Sequence, residues 1–160
     1  MTHKAEISAV LVRLEQVLPA EVKLTLRKPA PTEDLAARAG AVGGAGQLPA
    51  DLVALVTWHD GQEWNSPLSR KDNRRLLSVR EILDEHSFFG DPMSDFLMPW
   101  STSWIPVLTN DAGDFLVYET QGPLAGALLH YWHDDPSRSV AHPSLIHWAE
   151  GLLREYEADA

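Results

Sequence analysis

The sequence predicts an α+β fold in which an antiparallel β-sheet meander is flanked by N-terminal helices and a closing C-terminal helix. Three observations predict it. Apolar residues recur at helical spacing through the first half of the chain, the period shortens to strand-like segments from Trp104 onward, and it returns to helical spacing after Pro143. Helices, then a strand meander, then a helix bury their apolar faces most simply by layering. The chain has 160 residues, within the range of about 100–200 usual for one domain, so a single domain is expected over 1–160. With 44% hydrophobic residues, a core forms without help from a metal or disulfide.

Ile7, Val10, Leu11, Leu14, Val17 and Leu18 make one apolar stripe, predicting a helix over about 4–18 that Pro19 ends. The stretch 28–47 is rich in Pro, Ala and Gly; a short helix capped by Thr32 is expected over 32–38, followed by a flexible connection over 40–47. Leu48-Pro49 opens a second helix, with Leu52, Leu55 and Val56 on one side, that stops near Trp58 at His59-Asp60-Gly61. A polar loop carrying Arg70, Lys71, Asp72, Arg74 and Arg75 leads to Ser78-Val79-Arg80-Glu81, a capping box that starts a third helix closing over 86–90.

Strands are predicted over 104–108, 115–119 and 126–133, with a fourth over 138–141. Asn110-Asp111-Ala112-Gly113 and Gln121-Gly122-Pro123 supply the turns between them. In the final helix, Leu145, Trp148, Ala149, Leu152, Leu153 and Tyr156 form an apolar face.

Composition excludes several function classes. Cysteine is absent, which removes thiolate catalysis, Cys-based zinc sites and disulfides. Thirteen Lys and Arg stand against 23 Asp and Glu, for a formal charge of −10. That sign opposes nucleic acid and anionic membranes and favours a basic partner. Lys4, Glu6, Arg13 and Glu15 interrupt the first apolar stretch as no signal peptide would allow, so a cytoplasmic location is expected.

No motif for a phosphate loop, nucleophile elbow or metalloprotease helix is present. His59-Asp60 beside Glu63 has acid/base residue types without a nucleophile, and reads better as a loop capping the preceding helix. His130 and His133, with Asp134, Asp135, His142 and His147 nearby, are metal-ligand types. An odd separation puts His130 and His133 on opposite sides of a strand, so no metal or other cofactor is assigned.

Leu48-Pro49-Ala50-Asp51-Leu52, Trp58-His59-Asp60-Gly61-Gln62, Trp104-Ile105-Pro106-Val107, Gly113-Asp114-Phe115-Leu116 and the segment 126–133 occur in an order and spacing that resembles the SUKH superfamily, which includes fungal cell-wall-assembly regulators. The likeness covers about 31–156. Two departures stand out: Glu119 occupies a place where many members carry Asp, and the Arg-rich loop after Gln62 is long. Leu48, Pro49, Trp58, Asp60, Gly61, Trp104, Pro106, Gly113 and Asp114 are the family-motif positions, for which a structural role is expected.

In bacteria, members of this superfamily are widely encoded beside polymorphic toxins, often nucleases or deaminases, and neutralise them. The resemblance therefore implies a non-catalytic immunity protein that occludes a cognate toxin with a basic active-site surface. Its alternative is a regulatory scaffold for a housekeeping partner. Monomer and homodimer both remain open. Candidate contact residues, chosen from loops and element ends, are Glu63, Asp84, Glu85, Asp91, Asp95, Trp100, Asp111, Asp134 and Asp135. Among the other tryptophans, Trp58, Trp104 and Trp148 are expected in the core. Arg70, Lys71, Arg74 and Arg75 are expected on a solvated loop or facing an acidic spot on a partner.

Overall fold

The computed structural model describes residues 2–31, 33, 35, 48–91 and 100–158. The helix expected over 32–38 and the connection over 40–47 lie largely or wholly outside them. Among the described residues, five helices surround a five-stranded antiparallel sheet.

Helix α1 (Thr2–Val17) buries Ile7, Val10, Leu11 and Leu14, the predicted stripe. Pro19 ends it and also starts a four-residue helix, α2 (Ala20–Lys23), that the sequence pattern did not suggest. In α3 (Ala50–Trp58), Pro49 is the N-cap: its carbonyl accepts from Val53, and the ring's missing N–H is one the helix start leaves unpaired anyway. Helix α5 (Leu145–Ala158) buries the six predicted apolar positions. Helix α1 packs against both α3 and α5. Burial of these stripes is what holds the helices, since isolated helices of such lengths are marginal in water.

The sheet runs in sequence order: β1 (Arg75–Leu76), β2 (Trp104–Thr109), β3 (Phe115–Glu119), β4 (Leu128–Tyr131) and β5 (Val140–His142). Nearly every residue of β2, β3 and β4 is buried, because the sheet is covered on both sides. Tyr118 on one side reaches Asp51 of α3, while Phe115 and Tyr131 on the other meet Phe89 of α4 (Val79–Gly90). Pro106 lies inside β2, where it cannot donate to the ladder. The pairing with β3 shifts register between Pro106 and Leu108, the irregularity that lets a central strand tolerate proline.

Strand β1 and the burial of Arg74 and Arg75 correct the reading of that loop as solvated: both arginines are almost inaccessible. The reason is pairing, since Arg75 and Leu76 face Thr109 and Leu108 across the ladder. Helix α4 begins at the predicted capping box, with the Ser78 hydroxyl accepting from Glu81 N–H and the Glu81 carboxylate accepting from Ser78 N–H.

The His59-Asp60-Gly61-Gln62 motif continues α3 only through the His59 N–H, which donates to Leu55. Contrary to expectation, its main work is on the following helix: Asp60 accepts from Val79 N–H at 2.8 Å, in the first turn of α4. Gly61 adopts φ +83°, and a Cβ there would lie 2.6 Å from the Ser78 nitrogen. Only glycine allows that approach. Gln62, fully buried, accepts from Leu76 N–H and donates to Thr25 Oγ1, tying β1 to the chain after α2. No helix among the described residues is long and apolar enough to cross a membrane.

Candidate functional site

Arg75 organises the α4 side of the sheet. Its Nε and Nη2 donate to Asp111, Nη1 and Nη2 to Glu81, and Nη1 also to the carbonyls of Gln62 and Leu76. Asp111 comes from the β2–β3 turn, where φ of +62° turns it inward and its carboxylate also accepts from Asn65 N–H. Burial alone would weaken Arg75's hold on its proton, but the bonds to Asp111 and Glu81 outweigh it and keep the guanidinium charged. Glu81 mirrors this: burial pushes its carboxyl up, yet Arg75 and the Ser78 N–H hold it below the usual carboxylate range.

Beside this cluster lies a groove of about 480 Å³ between α4 and the β2–β3 turn. Phe89, Phe115 and Tyr131 contribute to its lining, backed by Trp100, which stacks on Phe89 with ring centroids 4.2 Å apart. Trp64 and Phe88 also line it and remain largely exposed, at 69% and 54%. Glu85 sits in the same lining, one helical turn beyond Glu81. Among the described residues it accepts no hydrogen bond and joins no ion pair. Burial, followed by the charges of Glu81 and Asp84, raises its pKa despite the opposing pull of Arg75.

The candidate contact residues are thus distributed. Glu85 and Asp111 share the groove, but the Asp111 side chain is only 7% exposed and engaged with Arg75. Asp84 is exposed on α4, Asp91 is exposed at its C-cap, and Glu63 is exposed next to Trp64. Trp100 is half-buried in the aromatic stack. Asp134 and Asp135 are exposed on the turn after β4, where Asp135 accepts from Ser137 N–H. Asp95 lies outside the described residues. Sequence reading missed Trp64 and Phe88; large apolar side chains in a polar loop and at a helix end were the available signal.

The family-motif residues make contacts within the chain. Leu48 is in the core, Trp58 packs against it, and Trp104 is buried with Nε1 donating to Glu119. Gly113, at φ +96°, precedes Asp114, which accepts from His133 N–H, His133 Nδ1 and Asn110 Nδ2. Asp114, His133 and Asp134 bring ligand-type atoms within 4.8 Å of one another, but both Asp114 oxygens already accept donors and the cluster is explained by those bonds. His130 stacks on Trp132, away from His133, which lines the groove.

The fold and the groove define an α+β protein whose helices cover both faces of an antiparallel sheet, with an acidic, aromatic-edged groove beside one helix. The chain belongs to the SMI1 / KNR4 family (SUKH-1), whose family model matches residues 31–151. No curated protein matches the sequence. Membership supports an immunity or regulatory role exercised through a protein partner, in a family that is typically non-catalytic.

Proposed function

We propose that this chain is a cytoplasmic immunity protein that binds a cognate toxin, nuclease-like or deaminase-like, and neutralises it by stoichiometric occlusion. The observation that carries this reading is the SUKH-1 match over 31–151 in a chain of net charge −10. A nucleic-acid-processing toxin needs a basic cleft, and an acidic body both accelerates encounter with it and disfavours other partners. Exposed aromatics such as Trp64 would supply anchors that slow dissociation. An interface burying about 1,600 Å² in total would suffice.

The test is co-expression with the C-terminal domain of the polypeptide encoded beside this chain, read by growth rescue and by copurification at one-to-one stoichiometry. A domain that remains lethal and unbound removes the proposal. Capture of a housekeeping protein instead would give the regulatory scaffold. Reversing Asp134 and Asp135 to Lys should slow association and flatten its salt dependence, measured by stopped-flow at two ionic strengths.

A further inference from the structure

Three carboxylates, one guanidinium and the His133 imidazole, which is bonded to Asp114, line the groove beside α4, and they are not equivalent. Asp111 and Glu81 are committed to Arg75, with Asn65, Ser78 and Arg27 donating as well. Glu85 is left over. A half-buried carboxylate without a donor is unfavourable in the free protein, because its desolvation is not repaid by a hydrogen bond and is offset only in part by the charge of Arg75. Trp64 and Phe88 are the two most exposed aromatic rings among the described residues, and both line this same groove. Aromatic faces attract cations electrostatically, more strongly when water is excluded.

Each alternative occupant meets an obstacle. An acidic or phosphorylated group would meet excess negative charge, since Arg75 is already neutralised by two carboxylates. A purely apolar segment would cover Glu85 and leave it unpaired.

We propose that the groove seats a cationic side chain, an arginine or lysine presented by a partner protein, with Glu85 as its counter-ion and Trp64 and Phe88 as its aromatic walls. The assignment deepens the toxin-neutralising reading and rests on it for the partner's identity. A cation on Glu85 would return its pKa toward the ordinary range, so binding weakens as Glu85 is protonated. Arginine is favoured over lysine because its planar group can stack on a ring while donating to a carboxylate.

The experiment titrates the full-length chain with N-acetyl-Gly-Arg-Gly-amide and with its uncharged citrulline counterpart at neutral pH, following backbone amides and tryptophan indole N–H signals by NMR. Saturable shifts at the Trp64 indole and at Glu85 and Phe88 with the arginine peptide alone are expected. Glu85→Gln, near-isosteric at a side chain without bonds to lose, and Trp64→Ala should each weaken binding about tenfold. Glu6→Gln, on α1, should leave it unchanged. Equal response to the citrulline peptide, no response at Trp64, or wild-type binding by Glu85→Gln overturns the assignment.

The toxin experiment fails separately. A toxin domain that copurifies with Glu85→Gln and Trp64→Ala at wild-type affinity overturns the groove and leaves neutralisation standing. Arginine-peptide binding alongside an unbound toxin domain does the reverse.

Discussion

Arg74 and Arg75 are neighbours in sequence and equally buried, yet they meet opposite treatment on the two sides of the sheet. On the α4 side, every N–H of Arg75 is directed at an acceptor, and two carboxylates match its charge. On the other side, Arg74 has one ion pair, to the partly exposed Asp72 at 3.1 Å, and lies over the Trp132 ring at 5.0 Å. Among the described residues, Arg74 Nε and His130 Nδ1 find no hydrogen-bond partner. One side fixes a charge by saturating it; the other tolerates a charge by stacking it. The first arrangement resists loss of a partner poorly, and the second resists protonation poorly.

Replacing the two arginines in turn tests the difference most directly. Arg75→Met leaves Asp111 without a cation and Glu81 with only Arg27 at 3.4 Å, and removing one member of a buried ionic network costs about 3–5 kcal/mol. Arg74→Met forfeits one half-exposed ion pair and a ring contact, about 1 kcal/mol. Urea denaturation at neutral pH checks both. Equal losses would mean that the network around Arg75 adds nothing beyond ordinary burial.

A smaller effect sharpens the same contrast. Ser78→Ala removes the cap of α4 and should cost about 1 kcal/mol. Glu81 serves both the capping box and Arg75, so Ser78→Ala and Glu81→Gln should combine to less than their sum, with a coupling of about 0.5–1 kcal/mol. Strict additivity in a double-mutant cycle would show that cap and ion pair act independently.

Much of this was legible in the chain itself. The helical stripes, the capping box and the meander follow from periodicity and turn residues, which are local signals. The Asp60-Gly61 pair was visible as a motif, but its task was not, because the partners Ser78 and Val79 lie 17 to 19 positions away and only folding brings them near. Arg75 was misplaced for a related reason: a two-residue edge strand has no periodicity, and basic residues among Asp and Asn look solvated until their carboxylates are located. The candidate site was legible in part. Glu85 was selected as an acidic surface residue, but its isolation beside Glu81 depends on Arg75 having already claimed the neighbour. Trp64 and Phe88 carry only a weak signal, a large apolar side chain in a polar loop and at a helix end, since exposure of a single aromatic is a property of the surface rather than of its flanking sequence.

The smallest effect is a pH dependence of opposite sign on the two sides. Burial, reinforced for His130 by Arg74, lowers the pKa values of His130 and His142, with Asp72 opposing in both cases. Above the ordinary histidine value of about 6.5 these residues are neutral folded or unfolded and cost nothing. Below it the unfolded chain takes up protons that the folded state refuses, so stability is lost as pH falls toward the depressed folded values. His133 behaves inversely, because its hydrogen bond to Asp114 raises its pKa. Its contribution is complete below about 6.5 and disappears as pH rises through the raised value. For Asp114, burial pushes upward but the His133 N–H and ring bonds win, so its own contribution survives until pH falls through a lowered carboxyl value. His130→Phe, which keeps a ring against Trp132, should therefore narrow the stability gap between about pH 8 and about pH 5. His133→Asn should widen it, because only the wild type gains from the charged pair in acid. Unfolding free energies of the three proteins at both pH values decide the matter, and shifts of the same sign in both variants would show that the two histidines share one environment after all.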